Sequence, residues 1–191
     1  IGRRVELKNI VLIGDSIRMG YERTVQHELQ GYASVWGSTE NGGTSQNVLD
    51  HLDEWVLSKQ PDIVHVNAGI HDITADLDSM IYRVTLDSYR RNVEEILRTI
   101  QEKTQSRLIW ATTTPVIGPR TGMLNIRRNE DVRAYNEAAV GVAQVLGVEI
   151  DDLYAVTMQS NPNEIVTPDG VHFTDEGSVL LGKAVADFLR G

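Results

Sequence analysis

The chain is expected to fold as a three-layer α/β/α domain around five parallel strands in the order 2-1-3-4-5, and three observations lead there. Five short apolar runs are spread along 191 residues: "NIVLIG" (9–14), "YASVW" (32–36), "DIVHVNA" (62–68), "RLIWATT" (107–113) and "GVEID" (147–151). Their Val, Ile and Leu residues are continuous rather than alternating, as in parallel strands covered on both faces. Amphipathic helical patterns separate them, and right-handed crossovers then stack helices on both sides of one sheet. The length suits one domain, 1–191, that buries roughly 70% of its unfolded surface.

The helices follow from their spacing. After the first run, Ile17, Tyr21, Val25 and Leu29 recur every fourth residue. Val48, Leu49, Leu52, Trp55 and Val56 predict a second helix, and Leu86, Tyr89, Val93, Ile96, Leu97 and Ile100 a third. Two more fit 129–146 and 175–190, the last capped by Thr174. The charged run "RTGMLNIRRNEDVR" (120–133) reads as a solvated loop and a helix start, with Arg127 and Arg128 within reach of a site mouth.

Composition removes several function classes. A net charge of −9 opposes non-specific binding to nucleic acid or anionic lipid, which needs a basic surface. No apolar run approaches the roughly 20 residues of a membrane span. Without cysteine there is no disulfide framework and no thiolate chemistry. The chain reads as soluble, either cytoplasmic or, with a signal peptide removed, secreted or periplasmic. No Walker A, G-x-G-x-x-G, G-x-S-x-G or H-E-x-x-H motif is present, and no cofactor or metal is expected.

In the expected strand order the winding reverses between the first and third strands, and ligands bind in the crevice beyond that point. "GDSIR" (14–18), "GSTENGGTSQN" (37–47) and "NAGIHDI" (67–73) converge there. Ser16 is then a helix cap or a nucleophile, and a nucleophile needs a base. Of the five histidines, His27 and His51 belong to solvated or half-buried helix faces, and His65 to a strand core. His71 follows the third strand. His172 lies in "TPDGVHFTDEG" (167–177), three residues after Asp169, a spacing that lets the carboxylate orient the imidazole.

"GDS" after the first strand, a glycine loop after the second, "GIHD" after the third and "DGVH" before the last helix resemble the GDSL, or SGNH, hydrolases. The resemblance runs from Asn9 to Leu189 and implies a flavodoxin-like fold and a serine esterase. It makes Ser16 the nucleophile, His172 the base and Asp169 its orienter. It also implies an oxyanion hole built from the N–H groups of Ser16 and Gly42 and a side chain at 71. The family places asparagine there; this chain has His71, whose neutral ring still offers one donor. Asp15, Arg18, Asn67 and Thr113 are candidate substrate contacts, although Arg18 and Thr113 also fit a solvated charge and a local backbone partner.

With 6% aromatic residues and polar loops, the expected substrate is a small-molecule ester. Its acyl group is expected to be short, acetyl foremost, on a sugar or another small polar alcohol. A lysophospholipase or thioesterase of the same family, and a catalytically silent flavodoxin-like ligand-binding protein, stand as alternatives. Nothing in the sequence assigns an oligomeric state.

Overall fold

The computed structural model describes residues 7–118, 120–122 (backbone alone) and 125–191. In chain order the elements are β1 (Lys8–Ile13), α1 (Ser16–Glu28), β2 (Ala33–Gly37), α2 (Ser45–Asp50) and α3 (Leu52–Trp55), then a 3-10 turn at Leu57–Lys59. There follow β3 (Ile63–Val66), β4 (Ala75–Asp76), α4 (Leu86–Lys103), β5 (Arg107–Ala111), β6 (Arg120–Gly122) and β7 (Asn125–Arg127). The chain ends with α5 (Asn129–Val145), β8 (Glu149–Asp151), α6 (Leu153–Gln159), α7 (Pro162–Ile165) and α8 (Asp175–Arg190). The main sheet is parallel throughout in the order β2-β1-β3-β5-β8, which is 2-1-3-4-5 among its own strands.

Alternation along each strand divides the core into two layers. Val11, Ile13, Val64, Val66 and Trp110 pack against Val93, Ile96 and Ala139 of α4 and α5. Ile10, Leu12, Ile63 and Ile109 pack on the opposite face against Tyr21, Val25, Leu181 and Val185 of α1 and α8. Both faces are therefore covered, which is why the strands read as unbroken apolar runs. No helix among the described residues is long and apolar enough to cross a membrane.

Two expectations need correction. The second helix is broken at His51, where ψ is 10°, giving the short α2 and α3. The His51 ring stacks on Trp55 at 4.5 Å, and its Nδ1 lies 2.9 Å from the Asn47 carbonyl that the His51 N–H also uses. The run 120–133 is not a solvated loop before its helix. β6 and β7 form a hairpin whose second strand pairs with β4, making a small antiparallel sheet; residues 123 and 124 lie outside the described residues. This sheet sits beyond the carboxyl end of β3 and brings Arg127 beside the loop that carries His71.

Candidate active site

β1 delivers Gly14-Asp15-Ser16 to the start of α1, and the Asp15 carboxylate caps the helix by accepting from the Ile17 N–H at 2.9 Å. Ser16 is the first helical residue, so its N–H is one of the first-turn amides that the helix leaves unpaired. Among the described residues it has no acceptor.

The Ser16 Oγ lies 2.9 Å from His172 Nε2, and His172 Nδ1 lies 2.5 Å from Asp169 Oδ2. The turn between α7 and α8 makes this geometry. The other Asp169 oxygen accepts from the Val171 N–H at 2.8 Å, the His172 N–H at 2.9 Å and the Thr167 hydroxyl at 2.8 Å. The Thr167 N–H donates to the His172 carbonyl at 2.8 Å, closing the turn. Partial burial alone would raise the Asp169 pKa. The hydrogen bonds from the His172 ring, the two N–H groups and Thr167 outweigh it and hold the carboxyl well below the usual range. An ionised, fixed acceptor thus faces Nδ1, which puts the ring proton there and leaves Nε2 to take a proton from Ser16.

His71 faces the same crevice from the loop after β3. Its ring makes no hydrogen bond among the described residues and is partly exposed. Burial, then the nearby Arg127 and Arg83 cations and His172, lower its pKa to about 4, so the ring is neutral and carries one N–H donor at pH 7. Its backbone is held firmly. The Tyr89 hydroxyl (2.9 Å) and Thr113 hydroxyl (3.1 Å) both donate to the Ala68 carbonyl. Gly69, at φ 148°, lies where a Cβ would collide with Thr113. Asp72 turns away from His71 and accepts from the Ser45 N–H at 3.0 Å and the Ser45 hydroxyl at 2.5 Å. Burial raises the Asp72 pKa to about 6 despite those bonds.

The Gly42 N–H donates to the Gly14 carbonyl at 3.0 Å, so it joins the loops after β1 and β2 instead of standing open in the crevice. The position still demands glycine, because a Cβ there would lie 2.6 Å from the Gly14 oxygen. The Gly43 N–H is also taken, by Asn41 Oδ1 at 2.9 Å.

The four candidate contacts, Asp15, Arg18, Asn67 and Thr113, are buried, and Asn67 keeps only its amide oxygen without a partner among the described residues. Asp15 is 1% exposed, and burial raises its pKa against the pull of its cap bond. Arg18 is neither a solvated charge nor a substrate contact. It is buried, paired with Glu22, and donates to the Ser38 carbonyl at 2.7 Å and the Glu40 carbonyl at 3.1 Å. It braces the loop after β2. Asn67 spends its amide on the Ala111 carbonyl at 2.9 Å. Thr113 is buried between Ala68 and Asn136, with its N–H 2.8 Å from the Asn136 amide oxygen. The motif reading missed Asp72 as an anchor of the His71 loop, although it stands next to His71 in "GIHD".

A groove of about 560 Å³ leads away from Ser16 and His172 between α1 and α8, past Gly20, Arg23, Thr24 and Ser178. Apart from Val179, Ile17 and Phe173, the side chains along it are polar or absent.

The fold has counterparts. A lipase/acylhydrolase from Enterococcus faecalis superposes with a TM-score of 0.81 at 26% identity, over 97% of this chain and 96% of that one. The acetyl xylan esterase AlAXEase gives 0.77 at 19% identity, over 95% and 99% of the two chains. Axe2, an acetylxylan esterase from Geobacillus stearothermophilus, gives 0.73 at 19%, over 96% and 93%. The "GDSL esterase/lipase CPRD49" of Arabidopsis thaliana is 26% identical over 84% of this chain, which spans 65% of that protein's length. Residues 12–180 match the sequence pattern of the "GDSL-like Lipase/Acylhydrolase family", which takes in the serine at the start of α1 and the histidine before α8. The chain belongs to the GDSL-like lipase/acylhydrolase family.

Proposed function

We propose that the protein is a carboxylic ester hydrolase that removes a short acyl group, acetyl in our reading, from a sugar or another small polar alcohol. The observation that carries this reading is the unbroken relay from Ser16 Oγ through His172 to Asp169, with the unpartnered Ser16 N–H and His71 ring beside it. His172 Nε2 takes the Ser16 proton as Oγ attacks the ester carbonyl. The negative charge that forms on the carbonyl oxygen is met by the Ser16 N–H and the neutral His71 N–H, while the imidazolium is balanced by Asp169. Collapse expels the alcohol, which takes its proton from His172 Nε2, and leaves acyl-Ser16. Water, deprotonated by His172 Nε2, then attacks the acyl group; the acid leaves as Ser16 Oγ is expelled and takes that proton back from the imidazolium. The Gly42 N–H joins the hole only by sharing its bond to Gly14, so this reading gives it a lesser role than the two open donors.

The chemistry of the groove supports a polar alcohol. Arg23, Thr24 and Ser178 along the groove suit hydroxyl groups. The likeness to acetyl xylan esterases below 25% identity shows only the fold, so the acetyl assignment rests on the groove. A p-nitrophenyl ester series tests it: rates should be highest at two carbons and fall with length, whereas a maximum at eight or more would overturn it. A fluorophosphonate probe should label Ser16. Absence of labelling in folded protein would favour a silent ligand-binding protein instead.

A further inference from the structure

Arg127 is a charged residue next to the His71 loop for which the hydrolytic sequence above has no use. Its Nε donates to the Ile70 carbonyl at 3.0 Å and to the Thr74 hydroxyl at 2.9 Å, which ties the guanidinium to the residue preceding His71. Its two Nη groups have no hydrogen-bond partner and no carboxylate among the described residues. That is unusual in this molecule. Arg18, Arg91, Arg98, Arg107, Arg128 and Arg190 all pair with carboxylates. The unpaired Arg23, Arg90 and Arg133 are exposed to water. Arg127 alone among the described arginines is both half-buried and unpaired, in a chain with 27 acidic residues available as partners.

Taking a guanidinium partly out of water without a counter-charge is costly, and an anion arriving from outside recovers that cost. The cation also acts on charged groups of the reacting centre. Its field reaches Asp15, Asp169 and His71, and Arg83, which is exposed and unpaired, adds a second positive charge on the same side. Desolvation and Arg83 lower the Arg127 pKa from its ordinary value, yet guanidinium stays protonated throughout the neutral range.

We propose that Arg127, assisted by Arg83, is a specificity subsite for a carboxylate on the substrate, so that the preferred ester carries a negative charge close to the scissile bond. A planar guanidinium with two free Nη groups matches a carboxylate with two parallel hydrogen bonds. The anchored Nε fixes its plane in advance, which lowers the ordering cost of binding. The proposal rests on the esterase reading and narrows its substrate class from polar esters to acidic ones.

The test compares matched ester pairs: 4-acetoxybenzoate with its methyl ester, which places the carboxylate on the alcohol side, and monophenyl succinate with methyl phenyl succinate, which places it on the acyl side. Intrinsic reactivity cancels when the charged-to-neutral ratio of kcat/KM in a variant is divided by the wild-type ratio. For at least one pair that quotient should fall about 10–100-fold in Arg127→Gln, the worth of a hydrogen-bonded ion contact. Arg127→Lys should retain part of the preference, and the exposed Arg83→Gln should lose about 2–5-fold. Arg83→Gln decides the matter should Arg127→Gln fail to fold. Ratios unchanged in every variant, or charged and neutral esters slowed equally, would overturn the proposal while leaving the esterase reading intact. Absence of Ser16-dependent hydrolysis for all four esters would instead sink the esterase reading, and this inference with it.

Discussion

On one side of the crevice Asp169 accepts four hydrogen bonds, and both nitrogens of His172 are engaged. On the other side, the His71 ring and the Arg127 Nη groups have no partner among the described residues, although the backbone beneath them is pinned by Tyr89, Thr113 and Asp72. The two sides fit two different tasks. A base must be poised before substrate arrives, so its bonds are complete within the chain. A group that meets charge developing on a ligand must be placed in advance yet left unsatisfied, because a partner inside the protein would compete with the ligand. Unpartnered polar tips on a rigid backbone therefore mark the ligand side.

The largest effects should come from breaking the complete side. Ser16→Ala or His172→Ala should cut turnover by about 10⁶-fold, and Ser16→Ala should also abolish fluorophosphonate labelling. Asp169→Asn should cost about 10⁴-fold, because an amide facing Nδ1 donates and selects the wrong tautomer. Steady-state rates on a p-nitrophenyl ester measure all three. Should Ser16→Ala keep most of the activity, the relay is not the reacting centre.

Breaking the open side should cost less. His71→Ala should lower turnover by about 10²–10³-fold, the usual loss for one oxyanion donor. His71→Asn should retain more, since it restores a donor of shorter reach. Because the ring has no internal partner and is neutral at pH 7, neither change should alter the thermal midpoint much at that pH. Both variants losing stability while turnover per folded molecule holds would show His71 to be packing and nothing more.

Gly42→Ala tests the seam between the sides. A Cβ that would lie 2.6 Å from the Gly14 oxygen forces the loops after β1 and β2 apart, next to Ser16. Displacement on the scale of 1 Å should cost up to about 10²-fold in turnover. A fully active Gly42→Ala would mean that the loop after β2 has no part in placing the nucleophile.

How much could be read in advance followed the range of the interactions. The main sheet was legible because burial on both faces writes each strand as its own apolar run. Ser16, Asp169 and His172 were legible because GDS and DGVH are short motifs whose local geometry does most of the placing. Arg18 was misread, since its acceptors, the Ser38 and Glu40 carbonyls, come from a loop some twenty residues on, and nothing nearby marks a first-turn arginine as buried. The closed Gly42 N–H depends on an acceptor in another loop in the same way. β4, β6 and β7 are two or three residues long, too short to show any period. Without the Ala75 to Ile126 pairing, Arg127 could not be placed beside His71.

The smallest effect tests the comparison through pH. His71 is held below its ordinary value, at about 4, so between about pH 4 and 6.5 the unfolded chain binds more protons there than the folded one. Its contribution to stability therefore rises with pH across that window and is lost as pH falls. Neighbouring Asp72 is raised to about 6, so from about pH 4 to 6 the folded chain binds more protons there, and stability falls as pH rises. The two oppose each other. Asp72 is fully buried and its slope approaches about 1.4 kcal/mol per pH unit at most; that of His71 is smaller because solvent screens a partly exposed ring. Thermal midpoints measured from pH 4 to 7 should then splay apart. His71→Asn should become less stable relative to wild type as pH rises. Asp72→Asn, which still accepts from Ser45 through its amide oxygen, should become relatively more stable. Each kcal/mol corresponds to about 2–4 °C in Tm at this chain length. Parallel curves for all three proteins would mean that neither group titrates away from its ordinary value. The His71 ring would then be charged in part at about pH 6, and the rate should gain a dependence on its protonation there.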